Sequence, residues 1–268
     1  MKVRRPLLFL LLLAASARAQ YVNTGSRMVS MGNAGAAMQD VWSLQSNPAG
    51  IAGLLRPEVA LTYQKNYPGT SLSTQAAAVV LPLQSNVFGL SFHRFGFSAY
   101  QESRLGFVFS RRFGNALYTA LGFNFHQLSI PGYGSTTAFS IDAGLQYRLT
   151  KALLVGASIS NLSGSCYEAS ASESIPLEVS VGGTYQFSDE LLCTASVRAG
   201  NDSSGSDFRI GMEYNLLSCL ALRAGLGMHP FNQNAGLGYK MEHVHVDIAI
   251  SNHFVLGYTP QISLSYAF

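Results

Sequence analysis

From residue 58 to the C-terminus, apolar and polar positions alternate with a period of two, in runs of about ten residues broken by turn-forming residues. The pattern predicts strands at 58–65, 72–82, 85–93, 102–112, 115–128, 136–149, 151–161, 176–187, 190–199, 206–216, 218–228, 233–241, 243–251 and 259–268. In the last of these, Ile262, Leu264, Tyr266 and Phe268 alternate with Gln261, Ser263, Ser265 and Ala267. In 206–216, Phe208, Ile210, Met212 and Tyr214 alternate with Arg209, Gly211, Glu213 and Asn215. An even number of strands, here about fourteen, is what a single-chain bacterial barrel requires. Alternation alone does not say which face is inside.

The connections sort by parity. Every second one is tight, at Leu83-Gln84, Phe113-Gly114, Thr150, Ser188-Asp189, Leu217 and Glu242. Those between include longer stretches at 66–71, 94–101, 162–175 and 200–205. Short turns at one end and longer loops at the other are the habit of outer-membrane barrels. The reading is therefore all-β: a transmembrane antiparallel barrel of about 14 strands, residues 58–268, with its apolar face toward lipid. In lipid every backbone polar group needs a partner, so the sheet must close.

Composition agrees. Hydrophobic residues make up 48% of the chain and charged ones 12%, against about a quarter charged in soluble domains. Past the N-terminus no apolar run approaches the ~18 residues of a membrane-spanning helix. Lys2, Arg4 and Arg5 precede an apolar run from Leu7 to Ala15 and small residues at Ala17 and Ala19. This predicts a secretory signal peptide over 1–19. Its removal takes four basic residues and no acidic ones, leaving 13 basic against 14 acidic, a net charge of −1. Nothing in that balance points to nucleic acid. Cys166, Cys193 and Cys219 have no metal-type spacing and read as small apolar fillers.

Residues 20–57 read differently. Gly32, Asn33 and Gly35, then Trp42, then Asn47, Pro48 and Gly50 mark a small-residue, turn-rich segment without sustained alternation. An N-terminal hatch or plug in the lumen is one reading, and a disordered periplasmic tail is the other. The lumen itself is predicted to be polar, with Arg104, Asp142, Arg148, Arg209, Glu213, Arg223, His243, His245 and Asp247 among the inward positions, both signs present so that charges pair. His243, His245 and Asp247 share one strand face at spacing that two imidazoles could use for a metal, but lumen polarity is the preferred reading. No nucleophile–base pair, phosphate loop or nucleotide fingerprint appears, so neither an enzyme nor a cofactor is expected. Tyr266 and Phe268 close an alternating C-terminal strand, which resembles the signal read by the barrel-assembly machinery.

The stretch Met31-Gly32-Asn33-Ala34-Gly35, with Asp40, Trp42 and Asn47-Pro48-Ala49-Gly50, resembles the N-terminal hatch of the long-chain fatty-acid transporter (FadL) family. It resembles equally the PorV/PorQ branch of that superfamily in Bacteroidota, whose members serve type IX secretion. The resemblance implies a Gram-negative outer-membrane location with both termini periplasmic. The trimmed loops and charged lumen favour a non-enzymatic accessory subunit of a larger envelope complex for secretion, surface attachment or outer-membrane protein assembly. The alternative is passive uptake of hydrophobic small molecules.

Overall fold

A computed structural model describes residues 25–67, 69–167, 175–201, 205–254 and 257–268. The expected signal peptide over 1–19 lies outside the described residues.

Fourteen antiparallel strands close into one barrel, each paired with its neighbours in sequence and β1 with β14. They are β1 (Glu58–Lys65), β2 (Ser73–Leu83), β3 (Asn86–Phe97), β4 (Tyr100–Phe113), β5 (Leu117–Ile130), β6 (Gly134–Arg148), β7 (Leu153–Ser160), β8 (Glu178–Gln186), β9 (Leu191–Gly200), β10 (Asp207–Leu217), β11 (Leu220–Met228), β12 (Phe231–Met241), β13 (Val244–His253) and β14 (Gly257–Ala267). Closure comes through Glu58↔Ala267 to Gln64↔Gln261, which leaves no free edge along that seam.

Burial distinguishes the two faces of the wall. On β14, Ile262 and Leu264 are 48% and 49% exposed, while Gln261 and Ser263 are 3% exposed. The apolar set points outward all round the wall. A water-soluble barrel would place it inward, so the surface suits lipid.

Loop parity holds only in part. The stretch 94–101 is no loop: β3 runs to Phe97, β4 starts at Tyr100, and only Ser98 and Ala99 turn between them. Gly96 lies inside the strand at φ +139°, where a Cβ would stand 2.1 Å from the Tyr100 carbonyl oxygen, so glycine allows the tight hairpin rather than ending the strand. The longer connections that remain, 66–72, 161–177 and 201–206, all lie at one end.

Inside the wall lie two short helices, α1 (Ser26–Ser30) and α2 (Ser43–Ser46), and a 3-10 segment, Pro48–Gly53. Within these elements and the turns that join them, Met28, Met31, Val41, Trp42, Leu44 and Ile51 are buried in one cluster with inward wall residues such as Ala78, Val80, Val87 and Val108. The core of the molecule is therefore the junction between this segment and the short-turn half of the barrel.

Candidate functional site

The wall is shaped to receive the N-terminal segment. Six inward glycines of the wall face that segment: Gly89, Gly144, Gly156, Gly211, Gly225 and Gly236. A Cβ there would stand 2.2 Å from Leu44, 2.3 Å from Asn47 Oδ1, 2.0 Å from the Ala36 oxygen, 2.4 Å from the Met31 oxygen, 2.1 Å from the Gly32 nitrogen and 2.5 Å from Ser30, respectively. Gly211 and Gly225 are direct cross-strand partners, so Met31 and Gly32 lie in a dent two strands wide. Of these only Gly211 stands in the alternation read from the sequence, and none of the six is marked there as a contact. Their signal was available: glycine recurring on the inward parity of strands that are otherwise filled.

The hatch-motif residues each have a local reason. Gly32, at φ +68°, would drive a Cβ to 2.8 Å from the carbonyl oxygens of Ile210 and Leu226. Asn33 also has positive φ. A Cβ on Gly35 would meet Ser46 at 2.8 Å, and one on Gly50 the Met38 oxygen at 2.3 Å. Trp42 is buried and covers Gly25. Pro48 opens the 3-10 segment, where its missing N–H costs nothing.

Asn47 does most. Fully buried, its Nδ2 donates to the carbonyl oxygens of Ala36 (2.6 Å), Leu145 (3.1 Å) and Ala157 (3.2 Å), while its Oδ1 accepts from Ala49 N–H (3.1 Å). Leu145 and Ala157 are register partners on β6 and β7. One amide thus ties the N-terminal segment to both strands of a single seam. Ser158 Oγ adds a bond to the Ser46 oxygen at 3.1 Å, and Gln146 Nε2 one to the Met38 oxygen at 2.9 Å.

That seam is the shortest in the barrel. β5 and β6 pair from Leu117↔Tyr147 to Ile130↔Gly134, but β6 and β7 pair only from Arg148↔Leu154 to Ala143↔Ile159. Residues 134–140 of β6 have no partner on β7. The last ladder pair is Ala143↔Ile159; beyond it Asn161, at φ +52°, bends the chain, and Leu162 N–H still donates to the Ile141 oxygen at 2.7 Å. The Asn161 backbone N–H donates to Asp142 Oδ1 (2.9 Å), and its side chain donates to the Ser165 and Ile175 oxygens (3.0 and 2.7 Å). Asn161 thereby ties together residues on both sides of the connection, Ser165 and Ile175, and Tyr167 and Ile175 lie on the inward Leu128 and Ala138, with Tyr100 alongside. An apolar patch lines the lumen beside the unpaired stretch of β6.

Most of the lumen residues read from sequence do come together. Arg104 pairs with Asp142 (2.7 Å) and also donates to Asn124 Oδ1. Glu213 accepts from Arg223 (2.5 Å) and from Arg27 (2.8 Å), Arg27 also reaches Asp40 (3.0 Å), and Arg223 reaches Asp247 (2.6 Å). Arg209 pairs with Asp207 at 2.6 Å, and Arg148 donates to Gln39 Oε1 at 2.9 Å. The Arg27 network lines a cavity of about 300 Å³ at the short-turn mouth, together with Glu58, Lys240 and His245. Arg27, the cation that joins α1 to the wall, was missed because its segment has no period to read.

His243 is a correction. With Glu242 it forms the exposed turn between β12 and β13, since β13 begins only at Val244, and its ring lies 5.8 Å from the outward Tyr266 ring. The turn residue Glu242, at positive φ, breaks the alternation that would have put His243 on the face of His245 and Asp247. Among the described residues no group of three His, Cys, Asp or Glu side chains is placed to hold a metal ion. At the C-terminus Tyr266 and Phe268 are exposed and stack edge-on at 4.8 Å, and the Phe268 N–H donates to the Pro57 oxygen.

A closed fourteen-strand barrel with an apolar outer face and a segment packed in its lumen defines a structural class, and solved structures of that class match this chain. It is similar to the toluene transporter TodX of P. putida (13% identity, TM-score 0.72, covering 93% of this chain and 99% of that one). It is similar also to the toluene transporter TbuX of Ralstonia pickettii (15%, 0.66, 91% and 97%) and to a Pseudomonas aeruginosa FadL homologue (15%, 0.69, 91% and 98%). The fold is FadL-like. No family model matches the sequence, and no curated protein matches it.

Proposed function

We propose that this chain is an outer-membrane channel for passive uptake of small hydrophobic molecules, with residues 25–57 as its plug and the β6–β7 seam as a lateral exit. The observation that carries the reading is the seam. Residues 134–140 lack a β7 partner beside the patch of Leu128, Ala138, Tyr167 and Ile175, and Asn47 of the plug is bonded to both strands just below. An apolar molecule entering at the long-loop mouth finds apolar lining there, whereas straight ahead it meets the Arg104–Asp142 pair and the plug. Leaving sideways into lipid avoids desolvating those charges. The solved structures above are transporters of toluene or a FadL homologue, which favours uptake over the accessory-subunit reading. In this orientation the longer loops are extracellular and both termini periplasmic. The finer PorV/PorQ-like assignment to an envelope complex rests on the hatch motif and the trimmed loops alone.

The test is entry of labelled toluene into cells whose outer leaflet is intact lipopolysaccharide, with and without the barrel. Ala138→Trp, placed to fill the seam, should reduce the barrel-dependent rate by about tenfold or more. A rate unchanged by that substitution would remove the lateral exit, and no barrel-dependent entry at all would remove uptake.

A further inference from the structure

The registers align outward residues in rungs across neighbouring strands, and in the β1–β6 half the rungs change character abruptly. One rung reads Ala77, Phe92, Leu105, Phe125 and Phe139 across β2 to β6. The next toward the long-loop end reads Tyr63, Gln75, Arg94, Ser103, Gln127 and Thr137, and the one beyond it Lys65, Ser73, Gly96, Gln101, Ser129 and Ser135. Two cations and no carboxylate lie in these two polar rungs. Among the described residues neither Lys65 nor Arg94 takes part in an ion pair.

Arg94 stands in a built recess. Gly96, without a side chain, opens a cleft of about 230 Å³ lined also by Ser71, Ser73, Gln75, Ser98 and Gln101. It therefore offers a guanidinium fork together with hydroxyl and amide donors, and no acid competes. A second outward arginine, Arg111, marks the other end of β4, where it lies over the Phe113 ring. From Ser103 to Arg111 is eight residues, about 27 Å along the strand, or about 20 Å of height at the ~40° tilt of such barrels, near the ~25 Å apolar band of an outer membrane. Arg94 is thus held at headgroup depth, with Leu90, Phe92, Leu105 and Phe107 below it where acyl chains would lie.

We propose that the Arg94 cleft binds the phosphate of a glycolipid of the outer leaflet, with Lys65 as a second, peripheral cation. Guanidinium recognises phosphate in a bidentate fashion, and a membrane-facing, uncompensated cation directly above the apolar belt selects a lipid-borne phosphate. The proposal uses the orientation given above, longer loops outward, and is independent of what the lumen carries.

The test is native mass spectrometry of the full barrel titrated with diphosphoryl lipid A, with the same lipid after enzymatic dephosphorylation, and with inorganic phosphate alone. Correct folding of each variant is checked by heat-modifiable migration. The diphosphoryl form should bind about tenfold more tightly than the dephosphorylated one, the loss of one charge-assisted contact. Arg94→Gln should abolish that preference and Arg111→Gln should leave it. Equal binding of both lipids, or an unaffected Arg94→Gln, would overturn the site. Inorganic phosphate binding as tightly as the lipid would overturn the lipid as its occupant.

Discussion

Replacing Asn47 by alanine isolates the contact on which the account turns. The substitution removes two N–H groups, shared among the carbonyl oxygens of Ala36, Leu145 and Ala157, and the acceptor for Ala49 N–H, all at a position with no solvent exposure. At about 1 kcal/mol for each of these groups lost without replacement, the local cost is about 3 kcal/mol. Six large apolar side chains, Met28, Met31, Val41, Trp42, Leu44 and Ile51, still anchor the segment. At about 1.5–3 kcal/mol each, their burial contributes about 9–18 kcal/mol, so the segment stays in the barrel and only its seam contact loosens. Hydrogen exchange of the amides at 49 and 50 should then accelerate by about 10²–10³, while exchange in α1 stays as it was. Asn47→Asp should be worse, since it keeps the acceptor but sets a carboxylate against three carbonyl oxygens. Unchanged protection at 49 and 50 in Asn47→Ala would refute the claim that this amide joins the plug to β6 and β7.

Three further outcomes follow from the same geometry. Gly156→Val puts a side chain 2.0 Å from a backbone oxygen that already accepts from Asn47, and overpacking of this kind costs about 1–3 kcal/mol or more; single-channel recordings should show a new leak, and a silent bilayer would mean the plug does not seal there. Glu213→Gln takes the shared carboxylate from Arg27 and Arg223 and should cost about 3–5 kcal/mol, read as a lower thermal midpoint in detergent; an Arg27→Met background should shrink the effect, and strict additivity would deny the coupling. Cys193 points away from the lumen, since its neighbour Thr194 donates inward to the Ala34 oxygen; it should react in membranes with a bilayer-soluble maleimide and resist a water-soluble one, and the reverse would contradict a lipid-facing wall.

Which parts were legible in the sequence follows from what period two encodes. Alternation gave the fourteen strands because each wall residue faces either lipid or lumen, and the register follows once Glu58 meets Ala267. It could not give features that depend on contacts across the barrel. The six wall glycines have meaning only opposite the N-terminal segment, and Arg27 only beside Glu213. Gly96 reads as a loop from sequence and is a strand residue because the Tyr100 carbonyl passes close by. Asn161 resembles any strand-ending polar residue; that it bends the chain beyond the last ladder pair appears only when Asp142 is seen to take its N–H. His243 was placed on the wrong face because one turn residue, Glu242, resets the parity.

Lateral uptake requires an apolar molecule to lodge at the gap beside β6. Anomalous diffraction from crystals soaked with bromobenzene tests it most directly. A bromine peak is expected among Leu128, Ala138 and Tyr167, next to residues 134–140, and should be lost in Ala138→Trp. Bromine found only against the outer wall, with the Leu128–Tyr167 patch empty at the same ligand concentration, would contradict the lateral route.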